Sequence, residues 1–362
     1  MQHPKTTTTA PGLHRQRLEA AFAGRRPDRT PFLGGWIACP EHICGLTGAS
    51  LSDYWSDPDS WSVKAYHALG CDGLIDLFVP KSQSDFRCVD ASSYLHAQTD
   101  LSLDEVVAVV EAMPCPSEIE KSFDFEREYA VYRKSLVERQ ALCGDMAWMP
   151  ANWNAGARLS WYGDFGYQSY FELIGLYPKL AEKLIAVGGA RGYCQGRLIA
   201  RAVEEGLYPH AVLLGEDICT QRGPMISLQL IRNHYAPALA RGLEPLQRVG
   251  CRPVWHSDGD VRPMVDLLIA CGIEGFQGFQ PECGMTLEYL ATRRARSGRP
   301  LLIFGPLAVT TELPFLSAAE VSAKVRSAVE YSRGRFDLVL FTSNTINPDV
   351  PLANIRAMAE AL

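Results

Sequence analysis

Val212-Leu213-Leu214-Gly215-Glu216-Asp217 and, further along, Arg252-Pro253-Val254-Trp255-His256-Ser257-Asp258-Gly259 decide the fold. Each is a short apolar run that stops at acidic and imidazole side chains. Residues 228–249, between them, carry the spacing of an amphipathic helix. A strand, a helix and a second strand in that order imply parallel strands joined by a crossover. The unit repeats in both directions. Before it, residues 31–37, 73–79 and 146–151 read as strands; after it come 275–280, 301–305 and 338–342. With 212–216 and 252–257 they make eight. Helical patterns cover 58–69, 116–140, 178–206, 228–249, 261–270, 287–296, 318–332 and 352–362. Asp57-Pro58 reads as a helix start, and so does the stretch 347–351. One alternating series of this kind predicts an α/β fold, a single (β/α)8 TIM barrel. An open doubly wound sheet is the rival, and no GxGxxG follows a strand to favour it.

Bulk properties agree with one enzyme-sized domain. The chain has 362 residues, of which 47% are hydrophobic and 21% charged, enough to bury a large core. The net charge is −6, and no Lys/Arg run gives the footprint of a nucleic-acid binder. The apolar runs are strand-sized, too short to span a bilayer. Residues 1–13 are expected to form a disordered N-terminal arm, polar and Thr-rich with no apolar signal core, and 14–362 the barrel domain. The 11 cysteines are scattered, with no CxxC. They predict a reducing cytoplasm and mostly buried thiols. Residues 80–103 read as an irregular polar loop, with a lid over the barrel mouth as the rarer alternative.

Barrel chemistry sits at the C-terminal strand ends, which turns the strand assignments into site candidates. Trp36 ends the first strand, Asn152-Trp153 follows the third, Glu216-Asp217 the fourth and His256-Ser257-Asp258 the fifth. Gln280 and Cys283 follow the sixth and Asn344 the eighth. Asp217, His256 and Asp258 are the catalytic candidates. His256, Glu216, Asp258 and Cys283 are the candidate metal ligands, imidazole and carboxylates with one soft thiol. A metal-free acid/base network through His256 is the alternative. Trp36, Trp153, Arg222, Gln280 and Asn344 are the substrate-binding candidates, Arg222 through its planar fork or else as a surface ion pair. The aromatic stretch 152–168, with Trp153, Trp161, Tyr162 and Tyr167, is expected to pack over the rim, with lining a flat ligand's pocket as the alternative. His42 and Cys44 are expected to belong to a helix start rather than to a ligand pair.

Several segments, taken together, resemble the uroporphyrinogen decarboxylase superfamily. They are Gly24-Arg25-Arg26-Pro27-Asp28-Arg29-Thr30-Pro31, Ala68-Leu69-Gly70-Cys71-Asp72-Gly73, Gly215-Glu216-Asp217 with Gly223-Pro224-Met225-Ile226-Ser227, His256-Ser257-Asp258-Gly259-Asp260-Val261, and the closing Pro351 and Asn354-Ile355. The resemblance runs over about residues 14–362. It implies a (β/α)8 barrel, cytoplasmic and often dimeric, hence an expected homodimer. It also implies one of two activities: metal-free decarboxylation of uroporphyrinogen, or methyl transfer between a small methylated compound and a corrinoid protein, usually with zinc.

The decarboxylases resembled here carry two arginines in the first-strand segment. Pro31-Phe32-Leu33-Gly34-Gly35-Trp36-Ile37-Ala38-Cys39-Pro40 has neither, so a polyanionic tetrapyrrole lacks its cationic partners. Thiol-activating methyltransferases of the superfamily carry His-x-Cys after the fifth strand. Here Asp258 replaces that cysteine, and Ser343 or Asn344 stands where a late one is expected. The harder site suits an oxygen leaving group. The expectation is a methyltransferase that moves a methyl group from a small, methoxylated compound to a corrinoid partner protein. The alternatives are a metal-free decarboxylase of a small acid, with Arg222 on its carboxylate, and a non-catalytic binding protein on the same fold. No DxHxxG of a corrinoid-binding segment occurs, so the corrinoid would belong to the partner.

Overall fold

The computed structural model describes residues 12–83, 100–278 and 280–362. Most of the arm 1–13, most of the loop 80–103, Cys88 and one residue of the sixth predicted strand lie outside the described residues. Leu13 already opens the helix Leu13–Phe22.

Eight short parallel strands appear, each overlapping one of the eight predicted runs. They are β1 (Leu33–Gly34), β2 (Gly73–Leu74), β3 (Ala147–Trp148), β4 (Ala211–Gly215), β5 (Arg252–His256), β6 (Gly275–Gln277), β7 (Leu302–Leu307) and β8 (Asp337–Thr342). They form two sheets: β1-β2-β3, and β8-β7-β6-β5-β4. The sheets meet along two seams. At one, Phe32 makes a parallel bridge to Leu340 and Leu340 N donates to Pro31 O at 2.8 Å. At the other, Asn152 N donates to Leu213 O at 2.8 Å. The strands are buried almost throughout, as expected where helices cover a parallel sheet.

The helices follow the sequence with two instructive breaks. The pattern 116–140 divides into Pro116–Ser122 and Phe125–Cys143, because the Asp124 side chain accepts from Arg127 N at 3.2 Å and caps a new helix. The pattern 228–249 begins as Leu228–Leu230, widens to a π turn over Ile231–Tyr235 and resumes as Ala236–Arg248. Pro237 lacks the N–H an α-ladder needs there. Asp57 caps Pro58–Ala68 as expected. Pro351 caps Leu352–Glu360 with no side-chain bond.

Helix Ala236–Arg248 also sets the loop that follows β3. A side chain at Gly242 would meet Gly156 O at 1.6 Å, so only glycine lets the 154–160 segment lie this close. That segment forms one wall of the site.

Of the ten cysteines described, all are free; seven are buried, Cys44 and Cys219 half-buried and Cys115 exposed. His42 and Cys44 lie in the helix Pro40–Thr47, as expected of a helix start. Among the described residues no helix is long and apolar enough to cross a membrane.

Candidate active site

Strand register builds the site. Gly215 pairs with His256, and His256 with Gln277, so these three residues stand in one row at the C-terminal ends of β4, β5 and β6. Gly215, at φ +148°, has no room for a side chain: a Cβ would meet His256 O at 2.1 Å. The row opens into a cavity of about 290 Å3 lined by Trp36, Phe78, Trp153, Arg158, Ser160 and Tyr162, with Glu216, Asp217, His256 and Asn344.

His256 is held from both ring nitrogens. Gln277 donates its amide to Thr342 O at 2.7 Å and Ser343 O at 2.8 Å, which turns its carbonyl oxygen towards His256 Nδ1. Nδ1 is therefore the donor of that pair. Nε2 is left facing Asp217 Oδ1 at 3.2 Å. It either carries a second proton, shared with that carboxylate, or offers a lone pair to a cation. Burial opposes the charged ring, but Asp217 and Asp258 outweigh it and push His256 up to about 9. Burial likewise opposes ionisation of Asp217; the imidazolium wins and holds its carboxyl below the usual range. Asp258 moves the other way, raised by burial and by the nearby Asp217 charge. Trp36 and Trp153 pack edge-on to the imidazole, with ring centroids 6.1 and 5.4 Å away.

Asp217, His256 and Asp258 each offer one ligand atom within 4.8 Å of the others. Asn344 donates to Asp258 Oδ2 at 2.8 Å, whereas Asp258 Oδ1 is buried with no hydrogen-bond partner. A buried, unpaired carboxylate oxygen beside an imidazole nitrogen and a second carboxylate fits a divalent cation, which would displace the proton on that nitrogen.

Four sequence assignments change. Glu216 does not join the three. Its carboxylate accepts from Leu159 N at 2.7 Å, from Ser160 N at 3.0 Å and from the Ser160 hydroxyl, so its oxygens clamp the 154–160 wall. Burial pushes this carboxyl up to about 7 against those donors. Cys283 lies in the turn Pro281–Cys283, its thiol 3.6 Å from Gln280 Oε1, outside the ligand group. Gln280 is used to accept from Gly259 N at 2.7 Å and does not line the cavity. Arg222 is exposed in the hairpin Cys219–Thr220/Gly223–Pro224 and does not line it either.

Trp36, Trp153 and Asn344, three of the substrate-contact candidates, line the cavity. Tyr162 lines it too, donating to Asp217 O at 2.8 Å, which is the alternative weighed for the aromatic stretch beside packing over the rim. Gln277 went unassigned, although an amide inside a buried strand is a readable signal. Arg158 and Ser160 were missed because loops carry no periodicity, and Phe78 because it fell inside the run 73–79 read as a strand.

No family model matches the chain, and no curated protein matches it. Among solved structures it is similar to a methyltransferase from Methanosarcina mazei at 16% identity. The TM-score is 0.63, over 97% of this chain and 98% of that one. At that identity the likeness establishes a shared fold.

Proposed function

We propose that this chain is a methyltransferase on a closed (β/α)8 barrel, of the corrinoid-dependent branch that its sequence resembles. It takes a methyl group from a small, methoxylated compound and delivers it to a corrinoid carried by a partner protein. The two seams between the sheets support closure, and the methyltransferase likeness supports the fold. The observation that carries the reading is His256 Nε2, aimed by Gln277 at the point where Asp217 and the unpaired Asp258 oxygen converge.

His256, Asp217 and Asp258 would hold a zinc ion, with Asn344 and Gln277 fixing the outer sides of two ligands. Zinc held there supplies Lewis-acid stabilisation of a leaving oxygen. The donor's C–O bond breaks with its electron pair on oxygen, so the protein's task is to stabilise that oxygen. Trp36, Trp153 and Phe78 supply an apolar part of the cavity lining, where electrostatic stabilisation is strengthened. Glu216 holds the wall that faces the substrate.

The His256–Asp217 pair at 3.2 Å favours one second reading, metal-free decarboxylation of a small acid. In it His256 Nε2 supplies the proton, and Arg158 takes the carboxylate role first given to Arg222. Zinc titration of the metal-free protein, followed by incubation with a methoxylated donor and cob(I)alamin, separates the two. The methyltransferase reading expects one zinc per chain and methylcobalamin formation. Absence of zinc binding together with carbon dioxide release from a carboxylic acid would replace it by the second.

A further inference from the structure

Behind the 154–161 wall lies a second cavity of about 260 Å3 that shares Asn154 and Arg158 with the candidate active site. Its chemistry is one-sided. Arg158, Trp161, Arg191 and Gln195 line it, and no carboxylate does. Trp161 is 2% exposed, and its indole N–H is buried with no acceptor. Two guanidinium groups stand over the same ring, Arg158 at 4.3 Å and Arg191 at 5.5 Å from its centroid. Arg158 is already paired with Asp164. Arg191 makes no hydrogen bond or ion pair within the described residues; its ring contact is what holds it.

An unsatisfied buried N–H is costly, so a protein that leaves one beside an unpaired guanidinium has built for an acceptor. Both groups are donors only, and a guanidinium fork matches a planar, doubly accepting anion. We propose that this second cavity is an anion subsite, and that it receives a carboxylate carried by the methyl donor whose methyl end lies in the first cavity. The donor is then an anionic methoxylated compound, and its body passes between Asn154 and Arg158. This assignment rests on the methyl-transfer reading.

The test uses full-length, zinc-loaded protein and calorimetric titration with 4-methoxybenzoate, its neutral isostere 4-methoxybenzamide, and inorganic phosphate. The expected result is at least about tenfold tighter binding of the benzoate than of the amide, the size of one charge-assisted contact. Arg191→Ala removes that preference, and Arg191→Lys keeps part of it. Equal affinities in the wild type overturn the proposal, as does a preference that survives Arg191→Ala. Phosphate that displaces the benzoate at equal affinity overturns it as well, because the subsite then serves free anions and not the donor. Arg191 is exposed on the helix Pro178–Glu204, so its truncation leaves the fold intact; circular dichroism of each variant checks this. Methylation of cob(I)alamin by saturating 4-methoxybenzoate tests the underlying reading separately. Its failure with the charge preference intact would remove methyl transfer and not the anion preference.

Discussion

Replacing Asp217 by Asn should release the proton that His256 holds too tightly. In the wild type the imidazole is pushed up to about 9 from 6.5. Burial alone would lower it, so the rise belongs to the facing carboxylates, Asp217 first. The interval of about 2.5 units corresponds to about 3 kcal/mol at about 1.4 kcal/mol per unit. Asp217 is 53% exposed, and solvent screening cuts its share to about 1–2 kcal/mol. Asp217→Asn should therefore lower the His256 midpoint by about one unit. The sign for stability follows from the raised value. The charged ring stabilises the fold fully below about pH 6.5, and that contribution is lost as the pH rises through about 9. In the variant this contribution is smaller and is lost about one pH unit lower. Zinc competes for the same Nε2 lone pair, so its apparent affinity in the wild type should rise about tenfold per pH unit up to about pH 9. NMR titration of the His256 ring carbon reads the midpoint directly. An unchanged midpoint in Asp217→Asn would refute the pairing and the electrostatic account built on it.

Glu216→Gln places an amide NH2 against donors that now meet a carboxylate, and should cost about 1–3 kcal/mol in urea unfolding. It should also abolish the decline in stability that the wild type shows as pH rises from about 4.5 through about 7, where a carboxyl with a raised value must ionise. Cys283→Ser should keep full zinc stoichiometry by elemental analysis; loss of metal would return the thiol to the ligand set. Gly215→Ala drives a Cβ into the backbone of His256 and should destabilise by on the order of 3 kcal/mol, read as a lowered Tm. Arg222→Ala should leave KM for any donor unchanged, since its side chain lies away from the cavity.

The strand series was legible because apolar runs and helical periods survive in sequence, and each predicted run overlaps its strand. So was the neighbourhood of His256 and Asp258, since a polar residue at the end of a buried strand has few places to go. The choice between Glu216 and Asp217 was not. Successive residues leaving a strand point to opposite sides, and only the loop packing tells which side is the cavity. Glu216 turned to the 154–160 wall and Asp217 to the imidazole. The sequence reading placed Glu216 among the metal ligands and kept Asp217 for acid/base work. Gln280 was read as the end of β6 and Cys283 as following it, but β6 ends at Gln277 and Cys283 lies in the turn Pro281–Cys283, off the row. Gln277 acts through two backbone carbonyls at the end of β8, Thr342 and Ser343, contacts that no spacing encodes. The unpaired N–H of Trp161 is likewise a property of tertiary packing.

The account stands most directly on which atoms surround a bound zinc ion. X-ray absorption at the zinc edge of the reconstituted protein measures that shell. Ligation by His256, Asp217 and Asp258 predicts nitrogen and oxygen scatterers at about 2.0–2.2 Å, an imidazole signature that disappears in His256→Ala, and no sulfur. A sulfur shell at about 2.3 Å, or a spectrum unaltered by His256→Ala, would contradict it.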